Sequence, residues 1–175
     1  RRLERNGNNA AAREISRQYT MSLPCNYGVK VGILGAGMIG KLVLKMLQAY
    51  DFELLVYDPF VKQEVLDQYH AKAATLDEIF SQCQIISNHI ANLPATVGML
   101  KYEHFSKMAP NAVFINTGRG AQVVEADLIR AMEEEPDRTA LLDVTLPEPP
   151  ANGASPTTLP LPFPRRHRLH TLQTA

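Results

Sequence analysis

Three glycines between residues 35 and 40 are spaced so that they could bind the phosphate groups of a nucleotide. The segment reads Gly35-Ala36-Gly37-Met38-Ile39-Gly40, follows a β-rich run and opens a run with helical periodicity. In such a strand–turn–helix unit, Gly35 permits a tight turn and Gly37 lets the backbone approach a pyrophosphate. Gly40 lets the helix pack closely against the strand. A glycine-rich turn without a ligand uses the same residues, so the pattern needs support from its surroundings.

Two further features favour a dinucleotide at this loop. The backbone amides of Met38 and Ile39 would lie at a helix N-terminus, where the helix dipole favours negative charge. Asp58 ends the next predicted strand, at the spacing of roughly 20 residues that returns the chain to the ribose. Its carboxylate would accept from both ribose hydroxyls of NAD and repel the 2′-phosphate of NADP, and only Pro59 and Phe60 follow it. The sequence therefore predicts NAD as cofactor, with a turn residue before proline as the alternative for Asp58.

The elements that would carry these residues alternate between short apolar strands and amphipathic helices. The predicted strands cover residues 29–34, 54–57, 85–87, 113–115 and 140–142. The predicted helices run from residue 42 through about residue 50 and over residues 61–69, 76–82, 102–107 and 125–132. Thr75 and Glu78 have the spacing of a capping box, which makes Thr75 a helix N-cap. This alternation predicts an α/β fold of the Rossmann type, a doubly wound parallel sheet with helices on both faces.

Composition narrows the functional classes. Hydrophobic residues make up 45% of the chain, which allows a buried core. Lys plus Arg and Asp plus Glu both total 18, so the charge gives no reason to expect a nucleic acid or an acidic membrane surface as partner. No apolar run approaches the roughly 20 residues needed to cross a bilayer. Cys25 and Cys83 have no metal-ligand spacing, no metal site is predicted, and free thiols in a reducing, cytoplasmic compartment are expected.

Three regions differ in pattern along the chain. Residues 1–27 are interpreted as an N-terminal helical remnant or linker, and residues 28–150 as the NAD-binding Rossmann domain. Residues 151–175 are rich in proline and arginine and have no helical or strand period, so we predict a disordered or poorly packed tail there.

Further motifs in the second half carry a family resemblance. From residue 29 to 150 the chain resembles the NAD-binding domain of the D-isomer-specific 2-hydroxyacid dehydrogenases, which include phosphoglycerate and glycerate dehydrogenases. The string Ile115-Asn116-Thr117-Gly118-Arg119-Gly120 is the most specific piece. The other matching pieces are Ser87-Asn88-His89-Ile90-Ala91, Thr96, Leu142-Asp143-Val144 and Pro147-Glu148-Pro149.

This resemblance implies roles for individual residues. Arg119 matches the arginine that binds the carboxylate and carbonyl oxygen of a 2-oxo acid, a task that suits the planar, permanently charged guanidinium. Asp143 matches the residue that binds the nicotinamide carboxamide, and Glu148 the glutamate that pairs with the catalytic histidine. Further cofactor contacts are implied at Ala91, Thr96, Thr117, Gly118 and, beside its substrate role, Arg119.

Structural roles remain open for the same positions. Arg119 could form a surface salt bridge, Asp143 could cap a strand end, and Glu148 could be a loop carboxylate among prolines. His89 fits a family position near the cofactor, and a packed histidine at a strand end explains it equally well.

The chain departs from the family pattern after its Glu-Pro stretch. The family continues to a Thr-Pro-His segment whose histidine is the general acid and base, and no such segment follows Leu159-Pro160 here. His167 and His170 lie nearby among arginines and lack the expected flanks. The substrate-binding domain of the family is also absent from the sequence. We therefore interpret the chain as a fragment or aberrant product of a longer dehydrogenase gene.

The leading functional prediction is the NAD-binding domain of an oxidoreductase that transfers a hydride between NAD and the CH–OH group of a 2-hydroxy acid. The resemblance implies as partners a small 2-hydroxy or 2-oxo acid and a second copy of the chain, joined through the cofactor domain. The sequence does not identify the acid. The alternative is a non-catalytic NAD-responsive binding module of the kind found in the C-terminal binding proteins.

Overall fold

The computed structural model describes residues 28–147 and 168–171, which are arranged around one seven-stranded sheet. The strands are β1 (Val29–Leu34), β2 (Phe52–Tyr57), β3 (Ala71–Ala73), β4 (Ile85–Asn88), β5 (Val113–Asn116), β6 (Thr139–Leu142) and β7 (Arg168–Thr171). The α-helices are α1 (Met38–Leu47), α2 (Gln63–Leu66), α3 (Leu76–Gln82), α4 (Tyr102–Phe105) and α5 (Glu125–Glu134). Short 3₁₀ helices cover Asp67–Tyr69, Pro94–Thr96 and Gly120–Gln122.

All seven strands are parallel, in the order β3-β2-β1-β4-β5-β6-β7. The strand order reverses between β1 and β4, which is the topological switch point of a doubly wound sheet. Ligands of such sheets bind outside the carboxyl ends of the strands at this point. The order confirms the predicted fold class and identifies the edge at which a site is expected.

Apolar side chains cover both faces of the sheet. Along β2, Leu54 and Val56 belong to one core cluster and Leu55 to the other, as expected when successive side chains point to opposite faces. Leu44 of α1 packs in the first cluster, and Phe80 of α3 packs in the second. Helices therefore cover both faces, as the sequence predicts.

The start of α3 follows the predicted capping box. The hydroxyl of Thr75 accepts from the backbone N–H of Glu78 at 3.2 Å, and the Glu78 carboxylate accepts from the Thr75 N–H at 2.8 Å. Two N–H groups that the helix cannot satisfy are thereby paired. The prediction for Thr75 is confirmed.

Two strands are missing from the sequence predictions. β3 is an Ala-Lys-Ala tripeptide without the β-branched residues that signal a strand. Within residues 151–175, where a disordered or poorly packed tail is predicted, Arg168–Thr171 form a strand that pairs with Thr139–Leu142 of β6. An added edge strand is held by backbone hydrogen bonds, and these require no apolar pattern. The remaining residues of that segment, like residues 1–27, lie outside the described part.

Within residues 28–147 and 168–171, no helix is long and apolar enough to span a bilayer.

Candidate functional site

The glycine-rich loop leaves β1 at Gly35, whose backbone takes a positive φ of 88°. A Cβ at this position would lie 2.8 Å from the carbonyl oxygen of His89, which follows β4. Both the conformation and the close approach exclude a side chain. The Gly35 N–H donates to Tyr57 O at 2.8 Å, which ties the loop to the end of β2.

The other two glycines of the loop have different surroundings. At Gly40 a Cβ would overlap the carbonyl oxygen of Gly35, so glycine allows α1 to pack on the turn. At Gly37 a Cβ would meet no protein atom within 4 Å. Nothing in the described protein requires a glycine at Gly37, and its bare backbone leaves open space beside the helix N-terminus.

Helix α1 begins beside this space. Gly37 is its N-cap, and the first helical hydrogen bond runs from Lys41 N to Gly37 O at 3.1 Å. The N–H groups of Met38 and Ile39 therefore precede the helical hydrogen-bond ladder and are available to an anion. The first turn of α1 contains no acidic residue that would compete for this position.

Asp58 lies directly after β2 and faces the glycine loop. One carboxylate oxygen accepts from Ala36 N at 2.8 Å, and the other accepts from Phe60 N at 2.9 Å. A carboxylate has about four acceptor positions, so two remain for hydroxyl donors. Besides the ribose contact that the sequence predicts, Asp58 therefore has a second role, which is to hold the loop in place.

A cleft of about 790 Å³ opens at this edge of the sheet. Loops that follow β1, β2, β4 and β5 form its walls. The predicted site residues that line it are Gly35, Gly37, Met38, Ile39, Asp58, Ala91, Thr96, Thr117, Gly118 and Arg119. Residues from distant parts of the sequence thus meet in one place, as the parallel topology requires.

Apolar side chains also line the cleft, and the site predicted from the sequence does not include them. Phe60 is 85% exposed and lines the cleft together with Val61, Leu93 and Met99. Nucleotide sites combine such apolar walls with a few polar groups. The signal that could have found Phe60 and Val61 is their position directly after Asp58.

Arg119 lies beyond the end of β5 and is exposed. Its guanidinium donates to Gly118 O at 2.8 Å. Among residues 28–147 none of the ion pairs involves Arg119, so the salt-bridge alternative has no support there. An Arg without a carboxylate partner at a cleft wall can bind an anionic ligand through two parallel hydrogen bonds.

His89 also lines the cleft. Its Nε2 is 2.9 Å from the hydroxyl of Ser87, and its Nδ1 is 3.2 Å from the hydroxyl of Thr117. Burial lowers the pKa of His89 below its ordinary value, so the ring is neutral near pH 7. One ring nitrogen then donates and the other accepts, and the ring fixes the position of the Thr117 hydroxyl.

Among the described residues, two of the predicted site residues, Gly40 and Asp143, do not line the cleft. Gly40 packs beneath the loop. Asp143 is exposed just after β6, and its N–H donates to Asn116 O at 3.0 Å. Glu148 lies outside the described residues. The role predicted for Gly40 is a packing role, while those of Asp143 and Glu148 stay predictions.

The residues present fit a dinucleotide of the NAD type. The open backbone at Gly37 and the helix N-terminus suit a pyrophosphate, and the Asp58 carboxylate suits an unphosphorylated ribose. The apolar walls suit flat rings.

Comparison with known proteins agrees with this fit. The family model of the D-isomer specific 2-hydroxyacid dehydrogenase NAD binding domain matches residues 1–171. D-3-phosphoglycerate dehydrogenase of Synechocystis sp. is 37% identical over 70% of this chain and 22% of its own length. Glyoxylate/hydroxypyruvate reductase A of Serratia proteamaculans is 38% identical over 68% of this chain and 38% of its own length.

A solved structure gives the same result. D-lactate dehydrogenase with NAD⁺ from Lactobacillus jensenii superposes with a TM-score of 0.62 and 31% sequence identity, covering 69% of this chain and 36% of that chain. The chain therefore spans well under half the length of the relatives it matches. The chain belongs to the D-isomer-specific 2-hydroxyacid dehydrogenase family, as its NAD-binding domain.

Proposed function

We propose that this domain serves the NAD-dependent interconversion of a 2-hydroxy acid and the corresponding 2-oxo acid. The observation that carries the proposal is the position of Arg119. Its guanidinium has no carboxylate partner within residues 28–147 and lies on the wall of the same cleft as the glycine loop and Asp58. A cation next to a nucleotide site is suited to a small acid.

The chain's own groups would divide the work as follows. The loop at Gly37 and Asp58 bind the dinucleotide, which supplies the hydride acceptor or, when reduced, the hydride donor. Arg119 binds the carboxylate and the 2-position oxygen of the acid and stabilises negative charge that develops on that oxygen. The neutral His89 ring holds the Thr117 hydroxyl at the cleft wall. Asp143 keeps its predicted role toward the carboxamide. Glu148 keeps its predicted role beside a general-acid histidine, although no Thr-Pro-His segment follows Leu159-Pro160 in this sequence.

The names of the relatives support an oxidoreductase over the alternative of a corepressor-like binding module. The matched proteins are named as a phosphoglycerate dehydrogenase, a glyoxylate/hydroxypyruvate reductase and a lactate dehydrogenase. Their printed substrates share a carboxylate next to the reacting carbon. This shared group is the one that Arg119 would bind.

Substitution of Arg119 tests this assignment. We expect Arg119→Ala to weaken binding of oxamate, a 2-oxo acid analogue, to the NADH-saturated chain by at least about tenfold, the loss of one charged hydrogen-bonding partner. NADH affinity should change by less than about threefold, because Gly37 and Asp58 remain. Isothermal titration of NADH, then of oxamate, measures both.

Arg119→Lys serves as the control, because it keeps the charge and loses the two-pronged geometry, and an intermediate oxamate affinity is expected. Equal losses of NADH and oxamate binding in Arg119→Ala would contradict the substrate role. So would an NADH-loaded wild-type chain that does not bind oxamate.

A homodimer formed through this domain belongs to the same proposal. Met38, Leu42 and Met46 lie one turn apart on α1 and are 91%, 52% and 66% exposed, which forms an apolar stripe suited to a second copy.

A cytoplasmic location is also proposed. The buried Cys83, whose pKa burial raises to about 12, is an unreactive free thiol that fits a reducing compartment.

A further inference from the structure

Three amide side chains lie completely buried beneath the cleft. Asn88 ends β4, Asn116 ends β5, and Gln122 ends the short 3₁₀ helix after Arg119. Their exposed fractions are 0%, 1% and 0%. We refer to Asn88, Asn116 and Gln122 as the amide cluster. Buried amides are costly unless their donors and acceptors are paired, so their partners show what the cluster does.

Gln122 uses its full hydrogen-bonding capacity. Its oxygen accepts from the Asn88 side chain at 2.7 Å and from Arg119 N at 3.2 Å. Its nitrogen donates to Ile90 O at 2.8 Å and to Ala91 O at 3.1 Å. One side chain therefore joins the loop after β4 to the loop after β5, and both loops line the cleft.

The two asparagines extend this link. Asn88 donates to the Asn116 oxygen at 2.9 Å and accepts from Ile90 N at 3.2 Å. Asn116 accepts from Gly118 N at 3.1 Å and donates to Arg119 O at 3.2 Å. Both the N–H and the carbonyl of Arg119 are thus held by the cluster. These hydrogen bonds fix the backbone of Arg119, the residue proposed to bind the substrate.

Gly118 supplies the space that the cluster occupies. A Cβ at Gly118 would lie 2.8 Å from the Gln122 oxygen and 3.0 Å from the Asn88 nitrogen. Even a methyl group would therefore press on the hydrogen bond between these two side chains. The glycine and the amides form one packed unit, which a substitution can disturb from either side.

We propose that Asn88 and Gln122 are positioning residues that, together with Asn116, set the relative placement of Arg119 and the loop of Ile90 and Ala91. This inference rests on the proposed substrate role of Arg119. The cluster fixes the Arg119 backbone, so that its exposed guanidinium starts from a defined position at the cleft wall. Such support from buried groups is what holds a binding side chain within a fraction of an ångström.

Gln122→Leu tests the proposal directly, because it removes the link and leaves the partner amides unpaired. Asn88→Leu and the milder Gly118→Ala approach the cluster from its other sides and cover the case in which Gln122→Leu folds poorly. Gln84→Leu is the matched control. Gln84 lies just before β4, at the amino ends of the strands, whereas the cleft lies at their carboxyl ends. Its side chain accepts from Lys30 N at 3.0 Å.

Amide hydrogen exchange by NMR is the first readout. In Gln122→Leu, Asn88→Leu and Gly118→Ala we expect the backbone amides of residues 90, 118 and 119 to exchange at least about tenfold faster. Core amides such as that of Phe114 should keep their rates. In Gln122→Leu and Asn88→Leu, oxamate binding to the NADH-saturated protein should fall by at least about tenfold, and NADH binding by a clearly smaller factor. A merely structural role would lower both affinities by the same factor.

The outcomes separate the two proposals. Unchanged exchange at Gly118 and Arg119, or faster exchange equal to that in Gln84→Leu, overturns the positioning role. Equal loss of oxamate and NADH affinity overturns it as well. If the wild-type chain binds no oxamate, the substrate role of Arg119 fails, and the exchange rates still decide whether the cluster holds the two loops.

Discussion

Gly37→Asp is expected to weaken NADH binding by at least about 100-fold while the melting temperature stays the same or rises slightly. A carboxylate at this N-cap would meet the pyrophosphate of the cofactor. Two charges about 4 Å apart repel by roughly 4 kcal/mol at an effective dielectric constant of about 20. The fold should tolerate the change, because a Cβ at Gly37 meets no protein atom and aspartate is a good N-cap.

Gly37→Asn is the matched control, since it has the same shape and the same capping ability without the charge. We expect its NADH affinity to lie between those of wild type and Gly37→Asp. Fluorescence titration with NADH and thermal denaturation measure the two effects. Wild-type affinity in both variants would show that the pyrophosphate does not bind at Gly37.

Asp58→Asn is expected to narrow the preference for NADH over NADPH by at least about tenfold, a change of about 1.4 kcal/mol. The asparagine oxygen can still accept from Ala36 N, which keeps the loop held. The contact with Phe60 N and the negative charge that repels a 2′-phosphate are lost. The dissociation constants of NADH and NADPH give the ratio directly.

Two further variants define the role of Asp58. Asp58→Ala also leaves Ala36 N without its acceptor, and we expect an additional stability loss of about 1 kcal/mol. Asp51→Asn, an exposed charge just before β2, is the control for a general change of charge. An NADH to NADPH ratio that stays at the wild-type value in Asp58→Asn would remove Asp58 from the ribose site.

The sheet and the glycine loop were predictable because their signals are local. The run Val29–Leu34, the glycine spacing after it and the capping box at Thr75 each lie within a few neighbouring residues. Strand β3 and strand β7 lack such a signal. These two strands form the edges of the sheet and pair with β2 and β6 through backbone hydrogen bonds. Such bonds do not depend on the side chains, so the sequence pattern does not indicate them.

The deeper parts of the site depend on contacts between distant residues. Asn88 and Gln122 are separated by 34 positions in the chain, and their partnership follows only from the order of β4 and β5 in the sheet. The second role of Asp58, as an acceptor for Ala36 N, likewise arises from the packing of the loop on β2. The family resemblance identifies Arg119 as a site residue, and the structure shows that Asn116 and Gln122 hold its backbone.

Titration of the purified chain with NADH and NADPH tests the central claim most directly. The structure predicts saturable binding of NADH at one site per chain, with NADPH at least about tenfold weaker because of the Asp58 carboxylate. Absence of saturable NADH binding by the folded chain, or equal affinity for the two cofactors, would contradict the assignment of this cleft as an NAD site.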